Sequence, residues 1–106
     1  MPKYLVCASF TTDGIRGTLK EGGSARRAVV ERLAQSTGST LEAYYYAFGE
    51  HDLYAIFDAP DNVAAATASV TVAAAGIAKV ETIVLLSPEE MDEVAGKSVS
   101  YRAPGA

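Results

Sequence analysis

The apolar residues of this chain recur with two different periods, which divide it into predicted strands and helices. Short apolar runs bounded by proline, glycine or aspartate predict strands over residues 4–11, 39–48, 52–59 and 80–86. Apolar residues at helical spacing predict helices over residues 24–35 and 63–75, with one or two helical turns over residues 15–20.

Residues typical of helix ends support these boundaries. Suitable N-caps precede the predicted helices, namely Thr12 or Asp13, Ser24, and Asp61 or Asn62. Gly38 is placed to end the helix that begins after Ser24. The run Ser87-Pro88-Glu89-Glu90 has the pattern of a capping box and predicts a short third helix.

The order strand–helix–strand–strand–helix–strand predicts an α+β fold of the ferredoxin-like type. The short connection at residues 49–51 makes the two middle strands an antiparallel hairpin. Right-handed crossovers then place both long helices on one face of an antiparallel four-stranded sheet. The chain of 106 residues is predicted to form one domain over residues 1–96, followed by a mobile tail over residues 97–106.

Both faces of the predicted sheet are apolar. Alternation along the first strand puts Leu5 and Cys7 on the face opposite Tyr4 and Val6. In the hairpin, the alternation separates Tyr44, Tyr46 and Phe48 from Leu41, Ala43, Tyr45 and Ala47. The helices cover one face only, and soluble monomers rarely expose an apolar sheet. We therefore expect a homodimer or a higher homo-oligomer that associates through the second face.

Charge and composition argue against several classes of partner. The net charge of −4 disfavours nucleic acid and anionic membranes, because both require a positive protein surface. No apolar stretch approaches the roughly 20 residues needed to span a bilayer. The single cysteine, Cys7, cannot form an internal disulfide, so a reducing, cytoplasmic location is expected.

The segment Gly49-Glu50-His51-Asp52 is the first candidate for chemistry. Glu50 and Asp52 can act as an acid and a base if their surroundings separate their pKa values, and His51 can act as a general base or a ligand. The alternative is a polar hairpin turn with no chemical role. One histidine and one cysteine give no metal-binding spacing, and the sequence requires no cofactor.

Two further features supply candidate ligand-binding residues. Tyr45 and Tyr54 suit a pocket because each wide apolar ring carries one polar group, although packing at a subunit interface is the alternative. Lys20 and Arg26 flank a glycine pair before a helix N-terminus, an arrangement that suits an anion. The alternative there is a flexible break with solvated arginines. Together with Asp52, these residues form the predicted binding site.

The chain from KYLVCASFTT through GEHDLYAIFDAP to LLSPEEMDE resembles the GYD domain family of small bacterial proteins. Gly49-Glu50-His51-Asp52 corresponds to the Gly-Tyr-Asp signature, so His51 stands where the family has tyrosine. The resemblance implies a relation to dimeric α/β barrels, in which two ferredoxin-like sheets pack face to face. Many proteins of that superfamily bind small organic molecules or haem between sheet and helices. The resemblance carries over no established activity.

Three functions are compatible with these observations. The favoured one is a homo-oligomeric module that binds or senses a small organic molecule between its helices and its sheet. The second is a small cofactor-independent enzyme, similar to a monooxygenase or an isomerase, with Glu50, His51 or Asp52 as acid–base groups. The third is a structural assembly unit without a ligand. No nucleophile–base pair and no metal-binding set is visible in the sequence, which favours the binding module.

Overall fold

The computed structural model describes residues 1–106 and has the predicted α+β architecture. The elements are β1 (Lys3–Phe10), α1 (Thr12–Glu21), α2 (Gly23–Ser36), β2 (Thr40–Tyr46), β3 (Leu53–Asp58), α3 (Asn62–Ala74), β4 (Ala78–Leu85) and α4 (Pro88–Gly96). The strands form one sheet in the order β2-β3-β1-β4, and every neighbouring pair is antiparallel. This is the ferredoxin-like arrangement that the order of elements predicts. None of the helices is both long enough and apolar enough to cross a membrane.

Several helix ends lie where the local sequence predicts them. The carboxylate of Asp61 accepts a hydrogen bond of 2.9 Å from the backbone N–H of Ala64 and thereby caps α3. Ser87 and Glu90 form the predicted capping box at the start of α4. After α2, Gly38 has a φ of 76°, the left-handed conformation that commonly ends a helix.

The first helix is longer than predicted and has a different cap. It spans ten residues, and its N-cap is Thr11 rather than the predicted Thr12 or Asp13. The hydroxyl of Thr11 accepts a hydrogen bond of 3.1 Å from the N–H of Gly14. The backbone N–H of Thr11 donates to the carbonyl oxygen of Ile77 at 3.0 Å, just before β4. This long-range bond holds Thr11 in place, which is why local propensity alone selected the wrong cap.

The predicted cap of the second helix is also wrong. Helix α2 begins at Gly23, its N-cap is Gly22, and Ser24 already lies in the first turn. Gly22 alone separates α1 from α2, and its φ of 93° is a conformation that residues with a side chain rarely adopt. The two helices therefore meet at a sharp corner instead of a flexible loop. This corner brings the start of α2 close to the hairpin, where the phenol of Tyr46 donates to the carbonyl of Gly23 at 3.0 Å.

A bulge in β2 changes which side chains share a face of the sheet. Leu41 pairs with Phe57, whereas Ala43 pairs with Ile56, so Glu42 is an extra residue in the ladder. Directly opposed residues point to the same face, so Leu41 lies on the helix-covered face with Phe57. The predicted grouping of Leu41 with Ala43 is therefore wrong, because strict alternation does not survive a bulge.

The core lies between the helices and one face of the sheet. The most buried side chains there are small or aromatic, and they include Tyr4, Ala8, Ala55 and Ala78. On the helical side, Gly14 of α1 has no side chain, which lets this helix approach the backbone of Ile77 just before β4.

No helix covers the opposite face of the sheet, which we call the open face. Register places Leu5, Cys7 and Ile83 on this face, together with Tyr45 and Tyr54. Tyr45 is 72% exposed and Ile83 is 38% exposed. The prediction that both sheet faces are largely apolar therefore agrees with the register.

The C-terminal segment extends away from the rest of the molecule. Every residue from Pro88 to Ala106 is exposed, including the apolar side chains of Met91 and Val94 on α4. The radius of gyration is 16.9 Å, whereas a compact chain of this length has about 13 Å. Helix α4 therefore contributes little to the core of its own chain.

Candidate functional site

A cavity lies between the helical layer and the covered face of the sheet. Its volume is about 80 Å³, within about 690 Å³ of space that protein atoms leave unfilled when the opening to solvent is included. Most of the lining is apolar and comes from Val6, Leu33, Leu53, Phe57 and Val72 among others. A cavity of this kind is the usual place for a small apolar ligand.

Few polar side chains reach this cavity, and two of them are already paired. The hydroxyl of Thr18 donates to the carbonyl of Gly14 at 2.9 Å. The hydroxyl of Ser69 is hydrogen-bonded to that of Thr82 at 2.7 Å. The polar groups left to meet a ligand are therefore on other side chains, chiefly Arg26 and Tyr44.

Arg26 is the only charged side chain that lines the cavity. Its side chain is 24% exposed, and its guanidinium makes no hydrogen bond in the structure. The nearest carboxylate oxygen is Oε2 of Glu21, at 3.6 Å from Nη1, which is longer than a hydrogen bond. Arg26 belongs to the first turn of α2, so the corner at Gly22 directs this residue towards the cavity.

Tyr44 lies beside Arg26 and is the polar aromatic group of the cavity. Its ring packs edge-to-face against Tyr46, with centroids 5.4 Å apart, and the two phenol oxygens are 3.5 Å apart. Burial raises the pKa of Tyr44 well above its ordinary value, with a further contribution from Tyr46, while the charge of Arg26 acts in the opposite direction. Tyr44 is therefore a neutral phenol near neutral pH, so it can donate a hydrogen bond.

Asp52 joins the hairpin to the central strand. Its carboxylate accepts a hydrogen bond of 2.8 Å from the backbone N–H of Phe10, and its own N–H donates to the carbonyl of Ala8 at 2.8 Å. Its carbonyl accepts a third bond, also of 2.8 Å, from the N–H of Ala47. These bonds engage the backbone N–H, the backbone carbonyl and one carboxylate oxygen of Asp52, whereas Glu50 is exposed on the turn.

His51 lies at one end of the open face. Its Nδ1 is 3.2 Å from the hydroxyl of Ser9, and its Nε2 is 3.8 Å from Oε2 of Glu81. The imidazole also meets the ring of Tyr54 edge-on, with centroids 5.7 Å apart. No group of three or more His, Cys, Asp or Glu side chains is arranged to hold a metal ion.

A model of the GYD domain family matches residues 4–95 of the chain. The chain belongs to the GYD domain family. The prediction made from the sequence pattern is thereby confirmed. Comparison with proteins of curated function gave no match. In this GYD domain the final residue of the signature, Asp52, anchors the hairpin through its three backbone bonds, and His51 occupies the position before it.

The structure brings together only part of the residue set predicted for ligand binding. Arg26 lines the cavity. Lys20 is exposed at the end of α1, and Tyr45 pairs with Tyr54 on the open face. Asp52 bonds to the backbone of β1 and does not line the cavity.

Tyr44 is a cavity residue that the sequence reasoning did not select. The alternation in β2 already placed Tyr44 opposite to Tyr45, but it did not show which of the two faces the helices cover. That choice needed the register of the strands across the sheet. Tyr44 pairs with Ala55, which itself pairs with Val6 on the covered face.

Proposed function

We propose that this GYD domain binds or senses a small organic molecule in the cavity between its helices and its sheet, and that it acts as a homo-oligomer. The observation that carries the binding proposal is an apolar cavity lined by one cationic group that donates no hydrogen bond, Arg26, and one phenol that donates none, Tyr44. Such a lining holds a ligand by apolar contact and orients it by a few polar groups. We also propose a reducing, cytoplasmic location, because the single cysteine offers no internal disulfide.

The size of the cavity limits the ligand. The cavity has a volume of about 80 Å³, so the group held inside it is no larger than a single ring. The remainder of a larger ligand would extend towards the opening.

Binding is tested in two steps on the full chain. Native mass spectrometry of protein purified from its own host should show a defined extra mass that gentle dissociation removes. Titration with benzyl alcohol, a neutral single-ring probe, should then shift the NMR signals of Val6, Leu53 and Val72, which line the cavity. No retained mass together with unchanged cavity signals would contradict the proposal and favour an assembly unit without a ligand.

Self-association is supported by two apolar surfaces that the single chain leaves uncovered. One is the open face, with Tyr45 and Ile83 exposed, and the other is the extended helix α4 with Met91 and Val94. A second copy of the chain would cover both, because each copy supplies a sheet face and a helix.

Sedimentation equilibrium with two matched variants tests the oligomer. Ile83→Lys adds a charge to the open face and should dissociate the oligomer, because the lysine would lose its hydration at the interface. Val63→Lys adds the same charge to the exposed outside of α3 and should leave the oligomer intact. A stable monomer of the unmodified chain at micromolar concentration would refute this part of the proposal.

An acid–base enzyme is the second candidate, and the contacts of His51 favour it. Ser9 and Glu81 hold the imidazole from two sides, an arrangement that can orient a general base. However, His51 lies on the open face, on the other side of the sheet from the cavity. In the proposed oligomer, a substrate for His51 would therefore bind between two copies of the chain.

This second candidate is tested by proton exchange. His51 acting as a base would remove a hydrogen from the carbon beside the carbonyl of phenylacetone and return a deuteron in D₂O, which proton NMR detects. The variant His51→Gln should lose the exchange above background, whereas Glu50→Gln should keep it. Equal exchange in His51→Gln and the unmodified protein would leave the contacts of His51 with a structural role only.

A further inference from the structure

The cavity combines an apolar interior with a positive charge at one end. Val30, Leu33 and Phe57 belong to the apolar part, and Arg26 is the only side chain in the lining that carries a charge. A neutral apolar ligand would fill the interior but would leave the guanidinium without a hydrogen-bond acceptor.

Arg26 is partly withdrawn from solvent and has no hydrogen-bond acceptor within the protein. About three-quarters of its side chain is removed from solvent, and none of its N–H groups donates a hydrogen bond within the protein. The 3.6 Å contact with Glu21 is electrostatic and lies at the rim, since half of the Glu21 side chain is exposed. A guanidinium that is partly withdrawn from water is stabilised when an anion pairs with it through several hydrogen bonds.

The neighbouring residue shows that this placement is specific to Arg26. Arg27 has the same charge and follows directly in the chain, but its side chain is 55% exposed and contacts Glu31 in the manner of a surface ion pair. Arg27 does not line the cavity. One of two consecutive arginines is therefore turned towards the apolar space, and the other remains on the surface.

Two further features favour an anion at this position. The start of α2 lies beside Arg26, and its N-cap, Gly22, has no side chain to accept a hydrogen bond from the first turn. The positive end of a helix dipole attracts negative charge. The phenol of Tyr44 also lines this part of the cavity and is uncharged, so it donates to an anion instead of repelling it.

We propose that the cavity takes a small apolar carboxylic acid, with its ring among the apolar side chains and its carboxylate paired with Arg26 and Tyr44. This inference rests on the proposed function, since it names the class of ligand for the same cavity. A planar carboxylate matches the guanidinium because two of its oxygens can accept two parallel N–H bonds. A neutral alcohol or amide of the same size lacks this pairing.

The experiment uses NMR titration to compare the binding of three single-ring probes to the full chain. Benzoate carries the proposed charge, while benzamide and benzyl alcohol are neutral molecules of similar size and shape. Benzoate should bind about tenfold more tightly than benzamide, because a charge-assisted bidentate pair is stronger than neutral hydrogen bonds. The shifted signals should include those of residues that line the cavity.

Two variants separate the role of Arg26 from that of general positive charge. Arg26→Gln should abolish the preference for benzoate, while the matched variant Arg27→Gln should keep it. If circular dichroism shows that Arg26→Gln is unfolded, Arg26→Lys replaces it. This variant keeps the charge but loses the planar fork, so it should retain only part of the preference.

The outcomes distinguish this inference from the proposed function. Equal binding of benzoate, benzamide and benzyl alcohol in the cavity would overturn the inference and leave small-molecule binding intact. A loss of preference in Arg27→Gln as large as in Arg26→Gln would also overturn it. Unchanged cavity signals with all three probes would overturn both.

Discussion

Gly14 lies where helix α1 passes close to the backbone of Ile77, just before β4, and replacing it with alanine should test that approach directly. An added Cβ would lie 1.9 Å from the carbonyl oxygen of Ile77 and 2.9 Å from its carbonyl carbon. Real Cβ atoms essentially never show contacts under 3.0 Å, so α1 would have to move by more than about 1 Å. The obstacle is backbone, which cannot rotate away as the end of a side chain can.

The magnitude follows from three terms. The forced displacement costs about 1–3 kcal/mol, and we expect the upper end because a carbonyl group is in the way. Losing the 3.0 Å hydrogen bond from Thr11 N–H to the Ile77 carbonyl adds about 1 kcal/mol. The better helix propensity of alanine offsets about 1 kcal/mol. Gly14→Ala should therefore lower the free energy of unfolding by about 2–3 kcal/mol, equivalent to a Tm lower by about 10–20 °C.

Gly17 provides the matched control on the same helix. A Cβ at Gly17 meets no atom within 4 Å, so Gly17→Ala should raise the free energy of unfolding by about 0.5–1 kcal/mol. The assay is urea unfolding followed by far-ultraviolet circular dichroism. All proteins are compared at one concentration, because the stability of an oligomer depends on it.

Equal stability of Gly14→Ala and Gly17→Ala would refute the reasoning. It would mean that α1 does not approach the residue before β4 as closely as the structure shows. A destabilised Gly17→Ala would instead mean that helix propensity does not control the exposed side of α1.

Three further perturbations test other parts of the structure. Asp52→Ala should lower the free energy of unfolding by about 1–3 kcal/mol because it removes the acceptor for a backbone N–H of β1. Glu50→Ala in the same turn should change the free energy of unfolding by less than about 0.5 kcal/mol, and similar losses in the two variants would contradict the anchoring role of Asp52. Burial raises the pKa of the Cys7 thiol, and nearby carboxylates raise it further, so iodoacetamide should modify Cys7 much more slowly in the native protein than in urea. Equal rates would show that the thiol is accessible. Hydrogen bonding to Lys3 lowers the pKa of Asp58, so the ionised carboxylate stabilises the folded state above the unfolded pKa of about 3.9, and this stabilisation is lost as the pH falls through the lower folded pKa. The difference in stability between Asp58→Asn and the unmodified protein should shrink over that range, and a constant difference would argue against the ion pair.

The features that depend on neighbouring residues could be predicted from the sequence alone. Asp61 and Ser87 cap helices through bonds to N–H groups three residues further on, and Gly38 ends a helix through its own backbone conformation. The order of strands and helices follows from apolar periodicity, and together with the handedness of crossovers it leads to the ferredoxin-like arrangement. The alternation of side chains along the strands also predicted that both faces of the sheet are apolar.

The tertiary structure decided the features in which distant parts of the chain meet. The bulge at Glu42 moved Leu41 to the covered face, and the bond to Ile77 made Thr11 the cap of α1. Similarly, the carboxylate of Asp52 is committed to a backbone amide of β1, 42 residues away in the chain. Periodicity reports neither register irregularities nor contacts between distant residues, so it could not predict any of these.

The residues that line the cavity could likewise be predicted only in part from the sequence. The sequence identified Arg26 as a residue suited to an anion, because glycines and a helix start lie beside it. Only the tertiary structure selected Arg26 over Arg27 and Tyr44 over Tyr45, since neighbours in a helix or a strand point in different directions. Which of those directions meets the sheet or the helices depends on how the layers pack.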